Sequence, residues 1–232
     1  MSDLLTPEKK AAPIAEVIVD IVAVPTVAVM DLLAGAEPRA ESPLHRADLK
    51  TIAHRGPKQG GVCLQELKLL GHLVLRGQRD DSDFMSAAEN VLGVALPGPL
   101  QSAERGELSV RWISPDEWLV VVPGEQAFAL ESQLHARMTG HYAVVNVSGA
   151  QTILSLSGQD ARKVLQKSTP YDVHERNFPV GKAVTSVFAK TQAVIRRTGE
   201  ESWELVIRRS FADYAWLWLQ GACAEYGLVV KD

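Results

Sequence analysis

The strongest constraint on the fold is an internal repeat, because one order of strand-like and helix-like patterns occurs twice in the chain. The first copy begins with a strand-like run at residues 69–77 that ends in glycine, and Trp118 later begins another such run. The second copy begins with a similar run at residues 151–158, and Trp203 stands where Trp118 does in the first. A duplication of this kind predicts two related halves with one architecture.

Helical periodicity follows the first strand of each copy and recurs at the end of each copy. Residues 125–138, for example, carry apolar side chains every three or four positions, as an amphipathic helix requires. Several strand-like runs alternate apolar and polar residues, which is typical of a sheet with one buried face. We therefore predict an α+β protein with a duplicated β-α-β-β-α unit, repeated at about residues 62–140 and 141–227. Its sheets should be mostly antiparallel, with helices packed on one face.

The first 40 residues differ in composition from the rest of the chain. They are rich in alanine, valine and proline and contain no aromatic residue. Prolines at positions 38 and 43 disfavour helix at the preceding residue, which indicates a boundary there. We expect a globular domain over residues 41–232. For residues 1–40 two interpretations stay open: a helical arm that docks on a partner, and a loosely ordered extension.

Composition and charge restrict the class of protein. Of the 232 residues, 46% are hydrophobic and 22% are charged, which is an ordinary globular balance. The net charge of -4 disfavours a general nucleic-acid binder, and two cysteines are too few for a disulfide framework. Charges and prolines interrupt the apolar N-terminal stretch, so neither a signal peptide nor a membrane span is predicted. We expect a cytoplasmic protein with neither nucleic acid nor membrane among its partners.

No motif for catalysis or cofactor binding is complete in the sequence. The six histidines and two cysteines lack the short spacings of a zinc site. Gly60-Gly61 and Gly181-Lys182 lack the other glycines of a phosphate-binding loop and are interpreted as turns. Neither Ser148 nor Ser157 has the glycine two residues upstream that a nucleophile elbow needs. We therefore predict no catalytic, metal-binding or cofactor-binding residue in this chain.

The aromatic segment at residues 211–219 offers a candidate contact with a partner. At 3.6 residues per turn, one helical face, which we expect to be core, contains Phe211, Tyr214, Ala215, Trp218 and Ala222. Trp216 then projects away from that face, and tryptophan is enriched at the centres of protein interfaces. Trp216 is therefore our candidate for the interface with a partner subunit. The alternative is that Trp216 packs under the N-terminal segment or a neighbouring loop.

Several segments in the same order resemble the gamma subunit family of heterotetrameric sarcosine oxidase. The motifs are SPLHR at 42–46, RWISPDEWL at 111–119, VNVS at 145–148, PYDVH at 170–174, FPVG at 178–181 and RSFADYAWLWL at 209–219. Ser114 stands where that family more usually has glycine, and Asn146 replaces an acidic residue. The resemblance covers roughly residues 41–225.

The resemblance implies a fold related to the folate-binding domain of aminomethyltransferases such as the glycine-cleavage T-protein. It also implies a complex with alpha, beta and delta subunits that oxidatively demethylates sarcosine to glycine with oxygen. The products would be hydrogen peroxide and either formaldehyde or 5,10-methylenetetrahydrofolate. FAD, FMN, NAD, zinc and tetrahydrofolate are expected on the partner chains. The gamma chain itself is expected to have a structural or assembly role and no active site of its own.

Two other functions stay open at this point. A stand-alone folate-binding protein or aminomethyltransferase of the T-protein type would need a pocket carboxylate for the pterin, and the sequence does not identify one. A small regulatory or scaffold module would use the same fold without any link to amines.

Overall fold

The computed structural model describes residues 40–232, and the predictions for residues 1–40 fall almost entirely outside this range. The helices of the described part are α1 (Leu49–Arg55), α2 (Ser82–Leu92), α3 (Ala127–Arg137), α4 (Ala161–Ser168) and α5 (Ala212–Cys223). Its strands are β1 (Val62–Leu67), β2 (Leu70–Gly77), β3 (Ser102–Arg105), β4 (Leu108–Ser114), β5 (Glu117–Pro123), β6 (Tyr142–Asn146), β7 (Gln151–Ser157), β8 (Ala183–Phe188), β9 (Thr191–Gly199), β10 (Ser202–Arg208) and β11 (Leu228–Lys231).

The strands form two sheets. Sheet A has the order β11-β1-β7-β10-β9-β8, and sheet B has the order β3-β4-β5-β2-β6. All neighbouring strands are antiparallel except β1 and β11, which are parallel. The predicted α+β class with mostly antiparallel sheets is confirmed.

The two repeats have the same order of elements, with one strand more than we predicted. Each runs β-α-β-β-β-α, from β2 to α3 and from β7 to α5. Trp118 and Trp203 are each the second residue of the matching strands β5 and β10. The missed strand of the first repeat, β3, has only four residues and no fully buried side chain, so it carries little apolar pattern. In the second repeat, residues 183–197 have a β-branched pattern that fits one or two strands, and a turn at Ala189, with φ of 52°, divides them into β8 and β9.

The strand that precedes each repeat pairs with the other repeat. β1 precedes β2 in sequence but pairs with β7, and β6 precedes β7 but pairs with β2. Apart from β11, the two sheets therefore have the same order, with β1 and β6 in equivalent places. We call this arrangement the strand exchange.

Each sheet has helices on one face and the other sheet on its opposite face. One buried cluster joins α1, α4 and α5 to sheet A, and a second joins α2 and α3 to sheet B. A third, smaller cluster joins the two sheets and includes Leu119, Val121, Ile153 and Val206. The apolar stripe predicted for residues 125–138 is buried against sheet B. The space between the sheets therefore has only a small apolar core, and polar groups occupy part of the rest.

Local sequence explains how α2 is set against sheet B. The Asp81 carboxylate accepts hydrogen bonds from the backbone N–H groups of Asp83 (3.0 Å) and Phe84 (3.1 Å), which caps the first turn. Gly93, with φ of 68°, ends the helix in the left-handed conformation that glycine adopts readily. A Cβ at Gly77 would lie 2.4 Å from the Phe84 ring, so glycine is required for the close contact between strand and helix.

Candidate functional site

The polar groups between the two sheets form the candidate site. β10 alternates Trp203 and Leu205, which are buried in the helix-covered core of sheet A, with Glu204. Because successive residues of a strand point to opposite faces, Glu204 faces sheet B. By the same alternation Val110 joins the helix-covered core of sheet B, and Arg111 on β4 faces sheet A.

Two arginines and two glutamates form an ion-pair network across the space between the sheets. Arg111 Nη2 donates a hydrogen bond to Glu204 Oε2, and Arg196 Nη1 lies 3.5 Å from the same oxygen. Arg196 Nη2 also donates to Glu104 Oε2, and its Nε donates to Ser102 Oγ at 3.0 Å. The network joins β3 and β4 of sheet B to β9 and β10 of sheet A.

Arg111 is the most deeply buried charge of this network. Its side chain is only 1% exposed, and burial lowers the pKa of Arg111 to about 10, although Glu204 raises it. Arg111 Nε and Nη1 have no hydrogen-bond partner among residues 40–232. Leaving buried N–H donors unpaired is energetically unfavourable. The Nε and Nη1 groups of Arg111 could therefore donate hydrogen bonds to an acceptor outside the described residues.

His72, on β2, is a second buried titratable group in this space. His72 is 1% exposed, and both of its ring nitrogens lack a hydrogen-bond partner among the described residues. Burial, together with the nearby positive charge of Arg111, lowers the pKa of His72 to about 4. His72 is therefore neutral at physiological pH.

A cavity of about 280 Å³ lies beside the network. The charged side chains that line it are Glu104, Glu107, Arg111, Arg196 and Glu204. Apolar side chains, including Leu70, Val121 and Ile153, line other parts of its wall. The cavity thus combines both signs of charge with an apolar surface.

A separate buried carboxylate holds the segment before α1. Glu66, on β1, accepts hydrogen bonds from Ser42 Oγ (2.7 Å), Leu44 N (3.2 Å) and Thr152 Oγ1 (2.9 Å). Because its oxygens are occupied by these donors, Glu66 has a structural role that joins the segment before α1 to sheet A.

Of the two glycine fragments considered for a phosphate-binding loop, Gly60-Gly61 is tightly packed, whereas Gly181 lies in an open turn with φ of 85°. A Cβ at Gly60 would lie 2.5 Å from the carbonyl oxygen of Gly227, and Gly61 N donates to Tyr226 O at 2.8 Å. Burial raises the pKa of the Cys223 thiol to about 11, which makes it a poor nucleophile. Among residues 40–232, no group of three or more His, Cys, Asp or Glu side chains is placed to hold a metal ion. The same residues contain no helix long and apolar enough to cross a membrane.

The structure shows a different buried face of α5 from the one we predicted. Ala212, Ala215, Trp216, Leu219 and Cys223 are its buried residues, and Phe211 is 41% exposed. Of the predicted core face, Ala215 is buried and Trp218 and Ala222 are partly buried against the same core. The prediction was wrong about Phe211, which is exposed, and about Trp216, which is inside. The reason is that α5 has apolar side chains on nearly every side, so its periodicity does not single out one face.

Trp216 lies in the helix-covered core of sheet A and is 5% exposed. Leu217, the next residue, is 65% exposed and is the most exposed large apolar side chain in the described range. A contact between Trp216 and a partner stays a prediction, but changing Trp216 would first disturb the core of its own chain. Leu217 gives a cleaner test of the outer surface of α5.

Sequence reasoning missed the charged network between the sheets. The available signal was a charged residue within an otherwise apolar strand pattern, as at Arg111 in β4 and Arg196 in β9. The pattern could have identified these residues as inward-facing charges. It could not have identified their partners, because the pairing depends on how the two sheets face each other.

Comparison with known proteins identifies the family. Residues 76–225 match the sarcosine oxidase, gamma subunit family. The "Sarcosine oxidase subunit gamma" of Corynebacterium sp. (strain P-1) is 33% identical over 176 residues, which cover 74% of this chain and 85% of that protein. The protein of the same name from Arthrobacter sp. is 32% identical over 176 residues, with the same coverage.

Solved structures agree with the sequence comparison. A chain of the heterotetrameric sarcosine oxidase from Corynebacterium sp. U-96, in complex with pyrrole 2-carboxylate, matches with a TM-score of 0.73 and 30% identity. The match covers 83% of this chain and 98% of that chain. The glycine cleavage system aminomethyltransferase T from Bartonella henselae matches with a TM-score of 0.57 and 18% identity, over 78% of this chain and 50% of that chain, which shows a shared fold. The chain belongs to the sarcosine oxidase gamma subunit family.

Proposed function

We propose that this chain assembles with alpha, beta and delta subunits in a heterotetrameric sarcosine oxidase and contributes no catalytic residue to it. The observation that carries this proposal is the similarity to a chain of a solved heterotetrameric sarcosine oxidase, of which 98% is covered. Because the match extends over nearly the whole of that chain, it concerns a complete subunit and not a shared motif.

The proposed reaction is the oxidative demethylation of sarcosine. Sarcosine, oxygen and water give glycine, formaldehyde and hydrogen peroxide; with tetrahydrofolate in place of water, the carbon leaves as 5,10-methylenetetrahydrofolate. In this proposal FAD, FMN, NAD, zinc and tetrahydrofolate are held by the partner chains. The packed turns at Gly60 and Gly61 and the high pKa of Cys223 support a gamma chain without its own redox or nucleophilic centre.

The outer surface of α5 is our proposed contact with a partner subunit of the oxidase. Leu217 exposes apolar surface on this helix and Phe211 does so just before its first residue, and burying such side chains against another chain is favourable. Arg208 and Arg209 are exposed just before the helix, so a partner surface with acidic residues around an apolar centre would fit.

Co-expression tests the proposal. Expressed alone, the chain should be colourless and should not consume oxygen with sarcosine. Expressed with tagged alpha, beta and delta chains, it should co-purify in a yellow complex. Turnover of sarcosine or of a folate substrate by the chain alone would refute the non-catalytic role and favour the T-protein alternative. A stable monomer that does not bind the flavoprotein chains would favour the scaffold alternative.

A matched pair of variants tests the surface of α5. Leu217→Asp should lower the amount of chain that co-purifies at least tenfold, because a charge would be buried at the contact. Leu69→Asp is the control, since Leu69 is also exposed (56%) but lies in the turn between β1 and β2. Equal co-purification of both variants would exclude α5 and leave the assembly proposal to the co-expression result.

A further inference from the structure

The cavity between the sheets has the size and the lining of a small-ligand site. Its volume of about 280 Å³ lies at the lower limit of typical small-molecule pockets, which start near 300 Å³. Strands of both sheets supply its walls, including β4 with Ser109 and Arg111 and β10 with Glu204. Rigid strands hold functional groups in fixed positions more accurately than loops do.

Arg111 supplies donors that suit a carboxylate. It is 1% exposed and lines the cavity, and only its Nη2 is engaged, by Glu204. Its Nε and Nη1 have no partner among residues 40–232. Because Nη2 is engaged, Nε and Nη1 can each donate a hydrogen bond, and a carboxylate oxygen is an acceptor with which a charged N–H group forms a strong one.

The remaining charges of the lining favour a positive group next to that carboxylate. Three glutamates (Glu104, Glu107 and Glu204) and two arginines (Arg111 and Arg196) line the cavity, which gives a formal charge of 2 − 3 = −1. A simple anion would therefore be repelled by the surplus carboxylate. A ligand with both an ammonium and a carboxylate matches both signs.

We propose that this cavity binds a small α-amino acid in its zwitterionic form. The ligand carboxylate accepts from Arg111, and its ammonium donates to the glutamates of the lining. Leu70, Val121 and Ile153 then accommodate a short apolar substituent. The Nε and Nη1 atoms are sealed from solvent, so a ligand reaches them only when a lining side chain moves.

Calorimetric titration of the full chain with three probes tests this proposal. Glycine has both charged groups, acetate has only the carboxylate, and methylamine has only the ammonium. Glycine should bind, and acetate and methylamine should each bind at least tenfold more weakly, since each lacks one charge-assisted hydrogen bond. Acetate binding as tightly as glycine would overturn the zwitterion assignment, and so would the absence of glycine binding.

Nuclear magnetic resonance locates the binding without a mutation. The Nε–H signal of Arg111 should shift as glycine is added, whereas that of Arg137, an exposed residue of α3, should not. Glycine binding without a shift of the Arg111 signal would place the ligand elsewhere and overturn the proposal.

Two variants give an independent test. Arg111→Lys keeps the charge beside Glu204 but removes the Nε and Nη1 donors, and Ser109→Val fills the cavity without changing its charge. Both should weaken glycine binding at least tenfold, whereas the control Arg137→Lys should leave it unchanged. Undiminished binding by either folded variant would overturn the proposal; if one variant does not fold, the other and the Arg111 signal decide.

Discussion

Replacing Glu204 by alanine is the most direct test of how the two sheets are held together. The substitution leaves Arg111, 1% exposed, without the one carboxylate to which it bonds among residues 40–232, and it also removes the oxygen that lies 3.5 Å from Arg196. Removing one partner of a buried ion pair typically costs about 3–5 kcal/mol, because the other charge stays buried and uncompensated. A typical domain has a free energy of unfolding of about 5–15 kcal/mol, so the loss is a large share of the total.

Urea unfolding, followed by tryptophan fluorescence, measures this loss. Glu104→Ala is the matched control, because Arg196 keeps Glu204 Oε2 at 3.5 Å and water can take the place of the Glu104 carboxylate, which is 66% exposed. We expect this variant to lose about 1 kcal/mol at most. The double variant Arg111→Met with Glu204→Leu should recover most of the stability, since an apolar pair of similar volume avoids the unpaired charge. Equal losses for Glu204→Ala and Glu104→Ala would refute the assignment of Arg111 as a buried, dependent charge.

Two further predictions concern the core. Because burial and Arg111 lower the pKa of His72 from 6.5 to about 4, the unfolded chain binds a proton in this range that the folded chain does not. The contribution of neutral His72 to the free energy of unfolding should therefore be complete above pH 6.5, and the free energy should fall by about 3 kcal/mol as the pH drops to 4. His72→Leu should abolish this part of the pH dependence in urea titrations. Gly77→Ala should lower the free energy of unfolding by about 1–3 kcal/mol, because its Cβ would lie 2.4 Å from the Phe84 ring. Gly221→Ala in α5, where no atom lies within 4 Å, should instead raise it by about 0.5–1 kcal/mol; a loss in both variants would contradict this account.

The repeat was predictable because it leaves a mark in local sequence. Trp118 and Trp203 occupy matching places since each strand needs a large side chain under its helices. Gly77, at the end of β2, follows the same logic, because a larger side chain there would meet the Phe84 ring of the next helix. Patterns of this kind depend only on neighbours in sequence.

The rest depends on contacts between segments far apart in sequence. Arg111 and Glu204 are 93 residues apart, and no local pattern pairs them. The buried face of α5 was mispredicted because its apolar residues surround the helix, so only the position of sheet A decides that Trp216 is inside and Leu217 outside. The strand exchange is likewise invisible in sequence, because β1 would suit either sheet.

The strand exchange means that the two repeats are not independent domains. Sheet A takes β1 from the segment before the first repeat, and sheet B takes β6 from the segment before the second. Unfolding of either repeat together with the strand before it removes a strand from the sheet of the other, so the described part of the chain should lose its structure in one cooperative step. The same arrangement would result if a homodimer whose identical subunits exchange one strand became a single chain by gene duplication and fusion.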